Sequence, residues 1–373
     1  MRILIASDKF KGSATGAEVA AALGGGILAT APDAVIDAVP VADGGEGTVE
    51  AALAAGFEAV EEVVTGPTGE AVTARFAVRG AEAVVEMAAA SGLDVLPGGR
   101  KAPRKATSRG TGELIRAALD RGCRSIVLGV GGSASTDGGA GMLEALGVVL
   151  RVSGRPVGPG GAALAALDEV DASGLDPRIA ETEVVLASDV DNPLLGERGA
   201  AAVFGPQKGA TADDVDALER GLARFSGMVD EMPGARASAG SPGAGAAGGV
   251  GYAALAVLGA RREPGIDVVQ RLTRLAERID GADLVITGEG SLDDQSLGGK
   301  TPLGVAAVAR AGGVPVIAVC GRSTLDEEQA AAAGFARIYV LSDLEPDPAR
   351  SMADALPLLR RVGERIAAEH LTR

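Results

Sequence analysis

Short, wholly apolar runs recur along this chain, and most of them end in a loop that joins glycine to charged or hydroxyl residues. Ile3–Ala6 leads into Asp8-Lys9-Phe10-Lys11-Gly12-Ser13. Ala34–Val39 leads into Asp43-Gly44-Gly45-Glu46-Gly47-Thr48. Ser125–Val130 leads into Gly131-Gly132-Ser133, Glu183–Ala187 into Ser188-Asp189, and Leu284–Thr287 into Gly288-Glu289-Gly290. A strand without polar alternation must be covered on both faces, which is the condition of a parallel sheet flanked by helices. Helical stretches are predicted over residues 15–28, 49–55, 111–121, 212–229, 249–258, 267–279, 303–311 and 352–369. Further strands are predicted over 314–319 and 337–341. Glu58–Met87 differs. It is richer in β-branched residues, with turn signals at Gly66-Pro67-Thr68-Gly69 and Arg79-Gly80, and reads as antiparallel hairpins. The expected architecture is α/β with two domains. One is Rossmann- or flavodoxin-like, with a parallel sheet built from both chain ends, residues 1–66 plus 280–373. The other is an inserted α/β domain with mixed strands, residues 67–279, and a cleft lies between them. A length of 373 residues suits two domains.

Composition removes several classes of function. The net charge of -15 lacks the basic field that a nucleic-acid binder needs, and it disfavours anionic membrane surfaces. No apolar run approaches the ~20 residues of a membrane span. The first run is too short for a secretory signal core and is followed by Asp8 and Lys9, so a cytoplasmic protein is expected. Cys123 and Cys320 lack metal-ligand spacing and read as buried thiols. The single histidine, His370, lies near the end of the sequence. Serine–histidine and cysteine–histidine catalysis, phosphohistidine relays and histidine-bound zinc are thereby excluded. Chemistry must fall on carboxylates, lysines, hydroxyls, backbone amides and oxygen-bound metal.

The strongest local motif is Gly131-Gly132-Ser133-Ala134-Ser135-Thr136-Asp137-Gly138-Gly139-Ala140-Gly141, between a buried strand and a helix. Glycines admit close backbone approach, and amides at a helix start attract anions. Ser133, Ser135 and Thr136 add donors. The motif is neither a Walker loop nor a dinucleotide fingerprint. Lys9 and Lys11 stand at a strand end, where open sheets gather ligands, although taken alone this segment is better read as a solvated turn. Asp189 is the first charged position after an apolar run, suited to magnesium or to a hydroxyl proton. The neighbouring Asp191 and Asn192-Pro193 fit an Asx turn better. Gly205-Pro206-Gln207-Lys208-Gly209 presents a lysine in a rigid turn. The loop after Leu284–Thr287 carries Glu289, Asp293 and Asp294, and ends at Gly298-Gly299-Lys300. Several such strand ends together are most economically explained by one binding cleft.

These segments, in this order, closely resemble the bacterial type-1 glycerate kinases over nearly the whole chain. The shared motifs include Lys9-Phe10-Lys11-Gly12-Ser13, Ala42-Asp43-Gly44-Gly45-Glu46-Gly47-Thr48, Gly110-Thr111-Gly112-Glu113, Asp189-Val190-Asp191-Asn192-Pro193-Leu194, Gly205-Pro206-Gln207-Lys208-Gly209-Ala210, Gly243-Ala244-Gly245-Ala246-Ala247-Gly248-Gly249 and Gly288-Glu289-Gly290. Ser291 replaces an arginine, and Ser296 a threonine, that are common in that family. The resemblance implies phosphorylation of D-glycerate by ATP with Mg2+, generally to 2-phosphoglycerate. Under it, Gly131, Gly132, Ser133, Ser135, Thr136, Gly288 and Glu289 are expected at the nucleotide. Asp8, Lys11, Asp43, Gly44 and Gly45 are expected at the substrate. Asp189, Lys11, Lys208 and Asp293 are the catalytic candidates, with Asp189 as metal ligand or base. Asp43, Glu289 and Asp293 remain second choices for those two roles. A monomer or homodimer is expected, with no nucleic-acid or membrane partner. A nucleotide-dependent ligase, a dehydrogenase or a non-catalytic acid sensor would be the alternatives on motifs alone.

Overall fold

The computed structural model describes residues 1–232, 234–236, 238–293 and 301–371. It divides into two compact units. The first comprises residues 1–43, 50–55 and 266–373, and the second residues 44–49 and 56–265. No helix among the described residues is long and apolar enough to cross a membrane.

The first unit holds a five-stranded, all-parallel sheet. Its strands lie in the order Arg337–Val340, Val316–Ser323, Leu284–Leu292, Arg2–Ser7, Val35–Ala38. This is a doubly wound, flavodoxin-type order, with the two chain ends paired at its centre. The apolar strands are covered on both sides, as their lack of alternation demands. Ile3 and Ile5 pack with Leu23, Ile27, Leu359 and Ile366. Leu4 and Ala6 belong to a second cluster with Val285, Val305 and Ala309. Helix Gly16–Thr30 begins at a capping box, in which the Thr15 side chain accepts from Glu18 N and the Glu18 side chain accepts from Thr15 N. It crosses helix Ala355–His370 at backbone distance. A methyl added at Gly26 would lie 2.0 Å from Arg360 O, and one at Gly363 would lie 2.2 Å from Leu23 O.

The second unit is built on a six-stranded sheet in the order Arg261–Glu263, Glu183–Ala187, Ser125–Gly129, Glu82–Glu86, Ala71–Arg79, Glu58–Thr65. The first four strands are parallel, and the last two form the antiparallel hairpin. Residues 56–66, grouped with the chain ends on sequence, belong to this unit because Glu58–Thr65 pairs along its whole length with Ala71–Arg79. A small antiparallel sheet of Val149–Val152, Arg155–Pro156 and Glu169–Asp171, with no counterpart in the sequence reading, also lies here. Within the glycine-rich tract near Gly243, Ala246–Gly249 forms a buried turn that enters helix Val250–Ala256.

Two helices expected to be continuous are broken. Residues 267–279 divide into Gly265–Thr273 and Leu275–Ile279, because Arg274 adopts a left-handed φ of 51°. The Thr273 hydroxyl turns back to donate to Val269 O. Residues 352–369 fall into Pro348–Ala353, capped by Asp347, and Ala355–His370.

The helix crossing gives a direct test. Gly26→Ala is expected to destabilise the first unit by about 1–3 kcal/mol, seen as an earlier urea-unfolding transition. Gly25→Ala on the same helix meets open space and should be neutral or stabilising by up to ~1 kcal/mol.

Candidate active site

The expected residues assemble as two groups, one in each unit. In the second unit the parallel strands finish in step, with Glu86, Gly129, Ala187 and Glu263 in one cross-sheet row. Residues 44–46 lie over that row. A methyl added at Gly129 would come within 2.6 Å of Gly44 O, and one at Gly131 within 2.7 Å of Gly45 Cα. One at Gly44 would meet Gly265 Cα at 2.6 Å, and one at Gly132 would meet Glu46 Oε1 at 2.1 Å. Gly44 and Gly132 also have φ values of 85° and 69°, which favour glycine. The glycines therefore let two main-chain segments touch. Beyond them, Glu86 Oε1 accepts from Val49 N at 2.6 Å, and Thr48 Oγ1 donates to Gly45 O at 2.8 Å.

The rest of the Gly131–Gly141 motif turns inward. Asp137 is buried, and its carboxylate accepts from Ser108 N at 2.8 Å, Ser108 Oγ at 2.9 Å, Gly139 N at 3.2 Å and Gly141 N at 3.3 Å. Ser108 Oγ in turn accepts from Met142 N. Asp137 thus organises the entry into helix Ala140–Ala145. Ser135 and Thr136 are fully buried, so their hydroxyls do not line a surface. Ser133, Gly131 and Gly132 sit nearer the strand end, anchored by Leu93 N to Gly132 O and Ala134 N to Ser91 O. Asp189 is exposed, and its Oδ1 accepts from Gly265 N at 3.1 Å. Arg262 braces the same turn through Ser188 O at 3.0 Å and Asp191 at 2.6 Å. Lys208 is buried, with Nζ donating to Ser135 O at 2.5 Å, rather than presented at the surface.

In the first unit Asp8 follows the Arg2–Ser7 strand. Its backbone N–H donates to Gly288 O at 2.9 Å. Its carboxylate accepts from Lys9 N at 2.7 Å and from Thr301 Oγ1 at 2.9 Å. Burial, reinforced by the neighbouring Asp43 carboxylate, pushes Asp8 up to about 6. Lys11 is exposed in the same turn, whose backbone passes Gly290 closely: a methyl there would lie 3.4 Å from Lys11 N. Glu289 and Asp293 flank Gly290 along the Leu284–Leu292 strand and just past it, and Ser291 Oγ donates to Asp293 at 3.4 Å. Asp294, Ser296, Gly298, Gly299 and Lys300 lie outside the described residues.

Four contributors lie outside the motifs read in the sequence: Glu86, Ser108, Gly265 and Thr301. Thr301 was legible in principle, since it opens a helix directly before Pro302. Glu86 and Ser108 carried no local signal, because their partners lie 37 and 29 residues away.

Asp8 gives a signed pH prediction. Its folded value exceeds the unfolded one, so the folded chain binds more protons between pH 3.8 and about 6, and stability falls as pH rises through that window. Asp8→Asn should flatten that fall and raise the unfolding temperature at neutral pH, measured by scanning calorimetry. A fall of unchanged depth would show that the carboxyl is well solvated.

Comparison with known proteins follows this geometry. Residues 3–371 match the model of the glycerate kinase family. A glycerate kinase of Bacillus subtilis (strain 168) is 48% identical over 330 residues, 87% of this chain and 86% of that protein. Glycerate 2-kinase of Escherichia coli (strain K12) is 47% identical over 330 residues, 87% of this chain and 86% of that protein. The crystal structure of a protein assigned as glycerate kinase 2 in Salmonella typhimurium LT2 aligns with a TM-score of 0.83 at 42% identity, covering 99% of this chain and 98% of that one.

Proposed function

Because this chain belongs to the glycerate kinase family, and is by that membership a kinase, we propose that it transfers the terminal phosphoryl group of ATP directly to D-glycerate, on the 2-hydroxyl. The observation that carries the reading is the glycine-on-glycine stack of residues 44–45 against 129–132. It leaves main chain bare at Gly44, Gly45, Gly129 and Gly131, with the Glu46 carboxylate against Gly132, and bare main chain of this kind can offer its amides to a phosphate. The relative named glycerate 2-kinase supports 2-phosphoglycerate as the product. Direct transfer suits the inventory of nucleophiles. Tyr339 OH lies 3.0 Å from Nε2 of the single histidine, His370, and both cysteines are buried, Cys320 with its thiol pushed up to about 12. A reaction that consumes ATP would suit a cytoplasmic location.

Magnesium fits as an ion that arrives with the nucleotide. Among the described residues no group of three or more acidic, histidine or cysteine side chains could hold a metal. An exposed carboxylate at a strand end, Asp189, offers the one or two protein oxygens that magnesium usually takes beside phosphate. When bound, magnesium neutralises charge on the transferring group. The protein's own part is positioning. Gly265 N fixes the direction of the Asp189 carboxylate. Lys11 supplies a cation for the glycerate carboxylate. Asp8, held at about 6, is ionised at neutral pH yet still basic enough to take a hydroxyl proton. Asp8 and Asp189 are thus the two candidates for proton acceptor, with Asp43, Glu289 and Asp293 in support.

A coupled ADP-release assay with D-glycerate, followed by phosphorus NMR of the product, tests the reaction. Glycerate-dependent ADP release and a 2-phosphoglycerate resonance are expected. No release from the folded protein, or a 3-phosphate product, contradicts the proposal. Asp189→Asn and Asp8→Asn should each lower turnover, and the residue that accepts the proton should lose roughly two decades or more. A folded variant with near-normal turnover removes its residue from that role.

A further inference from the structure

Lys208 departs from the pattern of the other lysines at strand-end loops. It is 1% exposed, and Nζ donates to Ser135 O at 2.5 Å. Its turn is preorganised. Gly209 takes a left-handed φ of 89°, Lys208 N and Ala210 N both donate to Gly205 O, and Lys101 Nζ holds Gln207 O at 2.8 Å from the outer side. A side chain aimed inward from so fixed a turn cannot swing out to meet a ligand. Burial draws its ammonium down to about 7, and the Asp137 carboxylate on the loop it grips opposes that shift.

A buried ammonium is costly, and an apolar chain of similar length would fill the space at less cost. What the ammonium grips is informative. A methyl at Gly248 would lie 2.1 Å from the same Ser135 O, and one at Gly161 would lie 1.9 Å from Thr136 O. Gly138 N donates to Gly248 O at 2.9 Å. The Ser135–Thr136 backbone is therefore clasped between two glycines, with Lys208 closing the clasp. The hydroxyls Ser135 Oγ and Thr136 Oγ1 are buried without a hydrogen-bond partner, so they do not set this conformation themselves. The Gly131–Ser133 strip that faces residues 44–46 ends two residues before Ser135.

We infer that Lys208 is a positioning residue, which fixes the Gly131–Ser133 main chain through the Ser135 carbonyl and lends it a positive charge from beneath, without touching the nucleotide. The inference rests on the nucleotide reading of that strip but is separable from glycerate turnover. Lys208→Met removes the charge at nearly constant volume. Lys208→Gln keeps an N–H for the Ser135 carbonyl and serves if the methionine variant does not fold.

The measurement is MgATP binding by calorimetry, with D-glycerate binding as control. The variant should bind MgATP about tenfold more weakly, with glycerate affinity unchanged. In the parent, MgATP affinity should fall as pH rises from neutrality and the ammonium is lost. The variant should show no such fall. Asp137 and Lys101 are present in both proteins, so their contribution cancels. Equal MgATP affinity and identical pH dependence in parent and variant would overturn the inference. So would parallel losses for both ligands, the mark of a purely structural role. A parent that binds MgATP but does not phosphorylate glycerate would sink the proposed reaction and leave the role of Lys208 standing.

Discussion

At the carboxyl ends of the Ser125–Gly129 and Glu183–Ala187 strands, residues 44–46 lie so near the main chain of residues 129–132 that a single added methyl would stand 2.1–2.7 Å from its neighbour. Everything else in the second unit is arranged to permit that approach. Parallel pairing brings Glu86, Gly129 and Ala187 level, so that several strands end together. Glu86 then turns to the Val49 amide and fixes where the crossing segment begins its helix. Asp137 gathers four donors and bends the chain away from the strip into helix Ala140–Ala145. A side chain at Gly44, Gly129 or Gly131 would meet backbone atoms and force main-chain segments apart, whereas one at Gly132 would meet the end of the Glu46 side chain.

The sequence disclosed this plan unevenly. Uninterrupted apolar strands are legible because burial on both faces removes polar alternation, which is why Ile3–Ala6 and Leu284–Thr287 could be read as strands of one covered sheet. The helix after Thr15 is legible from its capping box. The break at Arg274 is not, because an arginine in a left-handed conformation carries no local mark, and the bonds of Thr273 that accompany it run backwards along the helix. The small sheet of Val149–Val152, Arg155–Pro156 and Glu169–Asp171 escaped notice because its strands are only two to four residues long.

The site was legible as a set of residues and illegible as a division of labour. Spacing marked Ser133, Ser135 and Thr136 alike as donors, yet only Ser133 stays beside the strip while the other two turn into the core. Lys11 and Lys208 looked equivalent, each a lysine next to a glycine. One is exposed, and the other is sealed in against a carbonyl. That difference rests on a tertiary contact, because the Ser135 carbonyl that Lys208 holds lies 73 positions away in sequence.

Two ionisable side chains of the candidate site carry an electrostatic cost. Asp8 is raised by burial and by Asp43, while Lys208 is lowered by burial. Both shifts disfavour the charged form, so each group costs the folded chain stability at the pH where its charge is wanted. A carboxylate in open solvent would be cheaper but a weaker base, and an exposed lysine would be cheaper but could not hold a carbonyl in a fixed direction. Phosphoryl transfer depends on charge held still and away from water more than on any nucleophile. With one histidine and two buried thiols, the chain has carboxylates, lysines and main-chain amides to offer, and in the proposed roles Asp8 and Lys208 would hold their charge at an energetic cost.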